Sequence, residues 1–504
     1  MNVELIAITK YLRGDGAPEE LLEHAGRICY RSESQGDPGS FLQARIREGH
    51  ESLIEHASAT FEISGISRAC SHQLVRHRLA SYSQESQRYC RYGALEANLE
   101  PEPSALPESR GEKRHWHCKF TINQEEFITN QYEQGFSAEK LAQVHDVHPT
   151  TIRGIVLRNN GVMRSRRESR TMHTHTSYFA EIDTPEKAYV LGVIYADGNV
   201  AFRDGEPLYA SIAQHMDYSA WLERLGALWG GSVISGGREN SARLTIPGRD
   251  AAEHLVSYGV VQAKSNLLTG PTLSSELAPH FARGYLDGDG HIGAQKPRID
   301  IASGSHKFLE WVLQQTQSVS ATGSISGSHL TWAGSNCVPT ILDWLYDEFD
   351  FRLSHPAKLQ RAIKWSEIAR NNYFNQVEEW QKKFEVVVPP SIKQSPIAMS
   401  HFMRGIEQVA QGYANLQVFL RKEDARFALP NAAATRIIVT MNFRELLHLF
   451  RIRISRGAQW EIRDVCARML ELVHPLAPGV FGDLRDELRI KYPAFFEHEM
   501  RKCA

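Results

Sequence analysis

The sequence lacks paired cysteines. Its seven (Cys29, Cys70, Cys90, Cys118, Cys337, Cys466 and Cys503) are scattered, odd in number, and never form Cys-x-x-Cys. That argues against a disulfide framework or structural zinc and suits a reducing compartment. No apolar run nears 18 residues, and "MNVELIAITKYL" has no basic start before a long apolar stretch. The expectation is a cytoplasmic chain with no membrane segment. Net charge is also lacking, at −2 over 504 residues, so any nucleic-acid surface must be a local patch. What is present is length: at roughly one domain per 150 residues, about three are expected.

Composition divides the chain. Residues 1–92 have the look of compact α/β: "ASATFEISGIS" (57–67) alternates like a strand, and "RACSHQLVRHRLA" (68–80) predicts a helix. Residues 93–119 form a linker, Pro- and Glu-rich over 94–112. Residues 120–170 predict three helices, with Ser137 as an N-cap, Pro149 in the third helix's first turn and Gly161 past its end. Helix, helix, four-residue turn and helix is helix-turn-helix spacing. Eleven Lys/Arg against seven Asp/Glu between Arg110 and Arg170 make this stretch basic, with "RSRRESR" (164–170) a main contributor. Arg153 and Arg158, on the third helix, are expected to contact phosphates.

Residues 185–365 repeat a pattern. "VLGVIYADGNV" (190–200) and "ARGYLDGDGHI" (282–292) are apolar helix-like runs ending in Asp-Gly, with Asp197 and Asp289 92 residues apart. Gly192, Ala196, Gly284 and Gly288 would let two such helices approach closely. Their ends would then set both carboxylates side by side, an oxygen-ligand site for Mg²⁺ suited to attack on a phosphodiester. "DGDGHIG" begins like a calcium loop, but His291 and Ile292 break that pattern. From Lys383 onward the composition is again compact α/β, so 1–92 and 384–504 add to a plausible single domain of 213 residues, split by an insertion of about 291.

"RHRLASYSQESQRYCRYG" (76–93) places five cations among hydroxyls and amides. Guanidinium forks match phosphate geometry. Arg-His-Arg, seven residues, then Ser86 resembles the diagnostic motif of flavin-dependent thymidylate synthases. "ESLIEHASATFEI", "DARFALP" (424–430), "TMNFRELLHLFRIR" (440–453) and "AQWEIR" (458–463) resemble that family in the expected order. The resemblance implies an α+β synthase fold, here discontinuous, and reductive methylation of dUMP to dTMP. Methylenetetrahydrofolate would give the carbon, and FAD reduced by NADPH the hydride. It places Gln73, Arg76, Gln84, Ser86, Arg88, Arg426 and Arg453 on dUMP, with Arg453 and Ser86 at the reacting centre. It places His56, Arg76, His77, Arg78, Ser81, Gln84, Asn442, Arg444 and His448 around FAD. Cys90 as a nucleophile is unnecessary where the flavin supplies hydride. It further implies a homotetramer.

"VLGVIYADG" and "ARGYLDGDG" resemble the LAGLIDADG homing endonucleases in their single-chain form. This implies a pseudo-two-fold αββαββα domain on double-stranded DNA, with Asp197 and Asp289 as catalytic, metal-binding acids. Lys264 and Lys358 fall late in each repeat, where that family often has a basic residue. Such endonucleases often ride in inteins. No His-Asn pair precedes a nucleophile near 365–384, so retention of the insertion is expected, with splicing as the alternative.

Overall fold

The computed structural model describes residues 1–29, 31–34, 36–87, 113, 118–133, 136–163, 176–235, 240–261, 264–319 and 321–496. The chain divides into two compact units: 1–97 with 381–389 and 406–504, and 98–380 with 390–405.

The first unit is built on one antiparallel sheet of four strands, in the order Asn2–Ile8, Ser58–Ser67, Ala434–Asn442, Ala80–Gln84. The third strand in that order comes from the far end of the chain. It pairs with both 58–67 and 80–84, so the sheet closes only when both parts of the sequence are present. Alternation sets its faces. Phe61, Ile63, Ile437, Val439 and Met441 point into the core. Thr60 and Thr440, joined by a 2.9 Å hydroxyl bond, point the other way. The helices Phe443–Arg453, Trp460–Val473 and Pro478–Lys491 complete the core with Leu447, Val465 and Phe481.

The helix predicted over 68–80 stops at Leu74. The Tyr82 hydroxyl bonds the Leu74 and His77 carbonyls at 2.8 and 2.7 Å. That satisfies carbonyls a longer helix would have bonded internally, and the chain turns into a strand at Ala80. At "VVVPP" Val386 forms an isolated bridge with Ala433.

The second unit contains the helices Ile122–Glu133, Ala138–Val144 and Pro149–Arg158. Ile128, Leu141, Ile152 and Val156 are among their shared core residues. His148 caps the third helix through Thr150 N. The remainder of the unit repeats itself. A helix Pro185–Asp197 leads to a sheet ordered 198–203, 206–215, 241–246, 232–235; a helix Ala278–Asp289 leads to one ordered 290–292, 298–302, 329–333, 324–326. In each half a helix (Ser219–Ala227; His306–Gln315) separates the two hairpins, and another (Arg249–Ser257; Cys337–Tyr346) follows them. This is the αββαββα repeat expected from the sequence. No described helix is long and apolar enough to cross a membrane.

Candidate functional sites

In the first unit the two sequence segments meet at the Arg-His-Arg turn. Arg453, at the end of its helix, donates Nε–H to His77 Nε2 at 3.1 Å and a terminal N–H to the Gln73 carbonyl at 3.4 Å. The His448 ring stands edge-on to His77 at 6.3 Å. Burial, Arg453 and His448 all push the His77 pKa below its ordinary value, so the ring is neutral at pH 7 and Nε2 is free to accept. Glu461, 1% exposed, accepts from Ser67 N at 2.6 Å and Ser67 Oγ at 2.5 Å. Ser67 Oγ in turn caps the 68–74 helix through Cys70 N. A glutamate of "AQWEIR" thereby holds the helix that leads into the Arg-His-Arg turn.

The other expected residues are distributed as follows. Arg76, Arg78 and Ser81 are exposed; Ser86 is half-buried. Gln84 donates Nε2 to Ser71 Oγ at 2.7 Å, a bond that ties strand to helix. Asn442 caps its helix, its Oδ1 accepting from Glu445 N at 2.9 Å. Arg444 pairs with Glu55 and reaches Glu51, beside the exposed His56. Arg426 donates to the Glu423 carbonyl at 2.9 Å and stacks on Phe427. Arg88 and Cys90 lie outside the described residues. Tyr82 and Glu461 were not singled out from the sequence, because only their partners reveal them.

In the second unit the two Asp-bearing helices touch backbone to backbone. A Cβ on Gly192 would lie 2.1 Å from the Phe281 carbonyl oxygen, and one on Gly284 would lie 2.0 Å from that of Tyr189. Glycine is required at both positions. The approach carries down to the helix ends, where a Cβ on Gly288 would lie 2.8 Å from Asp197 Oδ2. Burial and the charge of Asp289 raise the Asp197 pKa to about 6, and burial raises that of Asp289. Gln214 donates Nε2 to Asp197.

Two half-buried lysines complete the site. Lys264 donates to the Tyr195 and Ala196 carbonyls, each at 2.6 Å, and Lys358 to the Leu286 and Gly290 carbonyls. Cations there oppose the negative ends of the helix dipoles. Asp287, in the same "DGDG", has another role. It is 1% exposed and bonded to Tyr189 Oη at 2.6 Å and His355 N at 2.9 Å.

The arrangement suits Mg²⁺, which takes one or two carboxylates and fills its other positions with water and substrate phosphate. Among the described residues no cluster of three or more His, Cys, Asp or Glu offers a fuller cage. The two arginines expected to contact phosphates in the helix-turn-helix unit have carboxylate partners. Arg158 bonds Glu125, whose side chain is 2% exposed, at 2.8 Å, and Arg153 pairs with Glu139.

The family model described as thymidylate synthase complementing protein matches residues 9–151 and 348–479; both Asp-bearing helices fall in the gap between. A flavin-dependent thymidylate synthase of Mycobacterium marinum is 42% identical over 123 residues, covering 22% of this chain and 49% of that protein. The chain thus spans about half the length of this curated relative. A flavin-dependent thymidylate synthase of Helicobacter pylori, solved with FAD and dUMP, aligns at TM-score 0.33 and 11% identity over 96% of this chain and 99% of that one. A LAGLIDADG meganuclease bound to uncleaved DNA aligns at TM-score 0.26 and 14% identity over 41% of this chain and 100% of that one.

Proposed function

The chain belongs to the thymidylate synthase complementing protein family, and we propose that its split unit methylates dUMP to dTMP while its inserted unit is a DNA endonuclease. One observation carries the first part: Arg453 bonds the His77 ring and the Gln73 carbonyl across the insertion. Residues of two separate sequence motifs thereby serve one turn. The exposed Arg76 and Arg78 are free to meet phosphates, which need cations that are never neutral. Ser86 and Gln73 would position the nucleotide, as would Arg88 and Arg426. Arg453 would stabilise charge building on the uracil carbonyl. His56, Ser81, Arg444 and His448 would hold FAD, with Asn442 and Gln84 shaping the backbone around it. FAD supplies hydride when bound, with NADPH as its reductant and methylenetetrahydrofolate as the carbon source. A homotetramer is part of this reading.

The endonuclease reading rests on the glycine-mediated contact that brings Asp197 and Asp289 to one place. Two carboxylates with raised pKa values are poised to take a divalent cation, and the paired four-stranded sheets provide a two-fold scaffold for duplex DNA. The insertion is read as retained. Purification tests this: a stable product of 57.0 kDa fits retention, and one of about 24 kDa fits splicing.

The activity test uses the full chain. A yellow protein that forms dTMP from dUMP, methylenetetrahydrofolate and NADPH is expected. Arg76→Ala and Ser86→Ala should abolish the reaction while Cys90→Ala retains most of it. A colourless protein that cuts duplex DNA with Mg²⁺ and makes no dTMP favours the second reading, a nuclease with inactive synthase parts.

A further inference from the structure

We propose that the second unit carries a binding site for an aliphatic polyamine, in an acidic cavity remote from the Asp197 and Asp289 carboxylates. The cavity, of about 680 Å³, lies between the start of the helix Ala278–Asp289, the end of the helix Cys337–Tyr346 and the start of the helix Glu367–Lys383. That volume is in the range of small-molecule sites. His280, in the first turn of the helix whose far end presents Asp289, lines it. Nine residues of helix, roughly 14 Å, separate the two. The proposal stands independently of both activities above.

Charge of one sign gathers there. Glu276, Asp343, Asp347 and Glu348 line the cavity, and among the described residues no Lys or Arg does. Asp343 accepts from Ser366 Oγ at 2.6 Å, and none of the four carboxylates is in an ion pair among the described residues. Arg283 donates to the Leu345 and Glu348 carbonyls, at 3.3 Å each, rather than to a cavity carboxylate. Three of the acids sit in the last turn of the helix Cys337–Tyr346 or just past it. There they oppose the negative end of the helix dipole, an arrangement that a bound cation relieves. A cleft lined by one sign of charge also focuses its field on an incoming cation.

Two further features point to an organic cation. His280 is 6% exposed, and its Nδ1 has no hydrogen-bond partner. Burial and the charge of Arg283 push the His280 pKa down to about 4, so the ring is neutral at pH 7. A buried imidazole nitrogen without a partner is costly, and an ammonium N–H would supply one. The half-buried Trp344 lines the same cavity, and an indole face attracts cations. A bare metal ion fits less well, because among the described residues no three His, Cys, Asp or Glu converge closely enough to hold one. Acids spread around a cavity match a cation whose charges are spaced along an apolar chain, and Pro279 and Ile368 are there to meet its methylenes.

Calorimetric titration of the full chain with spermidine at low salt tests this. One saturable site per chain is expected, with putrescine weaker because it carries fewer ammonium groups. Asp347 and Glu348 are both exposed. The double variant Asp347→Asn, Glu348→Gln should therefore melt no lower than the native chain, yet bind spermidine about 10- to 100-fold more weakly. Trp344→Phe should remove a change in tryptophan emission that follows the same isotherm. Equal affinity in the double variant, or displacement of spermidine by Mg²⁺ in simple proportion to ionic strength, would mean non-specific charge screening and overturn the site. A Lys-rich peptide that binds through the same residues more tightly than spermidine would make the occupant a protein segment and overturn the polyamine assignment. Neither outcome touches dTMP formation or DNA cleavage, which are measured separately.

Discussion

Arg453 Nε lies 3.1 Å from His77 Nε2, although 376 residues separate them in sequence. The contact requires the imidazole nitrogen to be unprotonated, and the surroundings of His77 keep it so. It joins the end of the Phe443–Arg453 helix to the turn that carries three consecutive basic residues.

Arg453→Ala should therefore lower dTMP formation by about 10- to 100-fold, the equivalent of one hydrogen bond to a charged group. Flavin absorbance should persist. The acid limb of the pH profile should also report His77. Its folded pKa lies below the ordinary value near 6.5, so the neutral ring favours the fold at high pH. That contribution is lost as pH falls through the unfolded and then the folded value. Unchanged turnover in Arg453→Ala would remove this residue from the site.

Tyr82→Phe deletes one hydroxyl that holds two carbonyls. The expected cost is about 1–2 kcal/mol, read as a lower melting temperature. If the turn positions Arg76, the KM for dUMP should rise more than kcat falls. A melting change with no KM change would limit Tyr82 to stability.

Asp197→Asn should abolish DNA cleavage and stabilise the fold. The Asp197 pKa is raised to about 6, so the folded state holds the proton more tightly than the unfolded chain. Its stability is fullest below about pH 4 and falls by about 2–3 kcal/mol as pH climbs to about 6. Thermal melts of the native chain should show that decline, and melts of the Asn variant should not. Mg²⁺ should raise the melting temperature of the native chain alone. A parallel decline in both proteins would sink the assignment.

Gly192→Ala and Gly284→Ala force a Cβ into carbonyl oxygens about 2 Å away. Backbone cannot yield as a side-chain tip does, so the loss should reach about 3 kcal/mol, the upper range for overpacking. Cleavage should disappear with it. Retained cleavage and stability in either variant would show that the helices do not meet as described.

Arg158→Ala should weaken the helix-turn-helix unit by about 1–2 kcal/mol, since its partner Glu125 is buried. Arg153→Ala, with an exposed partner, should cost under about 0.5 kcal/mol. Hydrogen exchange across 122–158 reads both. If Arg158 is structural, its removal leaves the salt slope of DNA binding unchanged; a drop of about one unit would restore it as a phosphate contact.

Much of this was legible in residue order. Local chemistry dictates the Asp-Gly helix ends at 197 and 289, the helix-turn-helix spacing, the strand at 58–67 and the Arg-His-Arg cluster, because propensity and periodicity act over a few residues. Tertiary structure alone decided the rest. The neighbours of strand 434–442, the hydrogen bonds of Ser67 to Glu461, the pairing of Arg158 with Glu125, and the unequal partners of Asp197 and Asp289 all depend on long-range contacts. Such contacts form when distant apolar faces are buried together, and a polar side chain acquires its partner only from where that burial puts it.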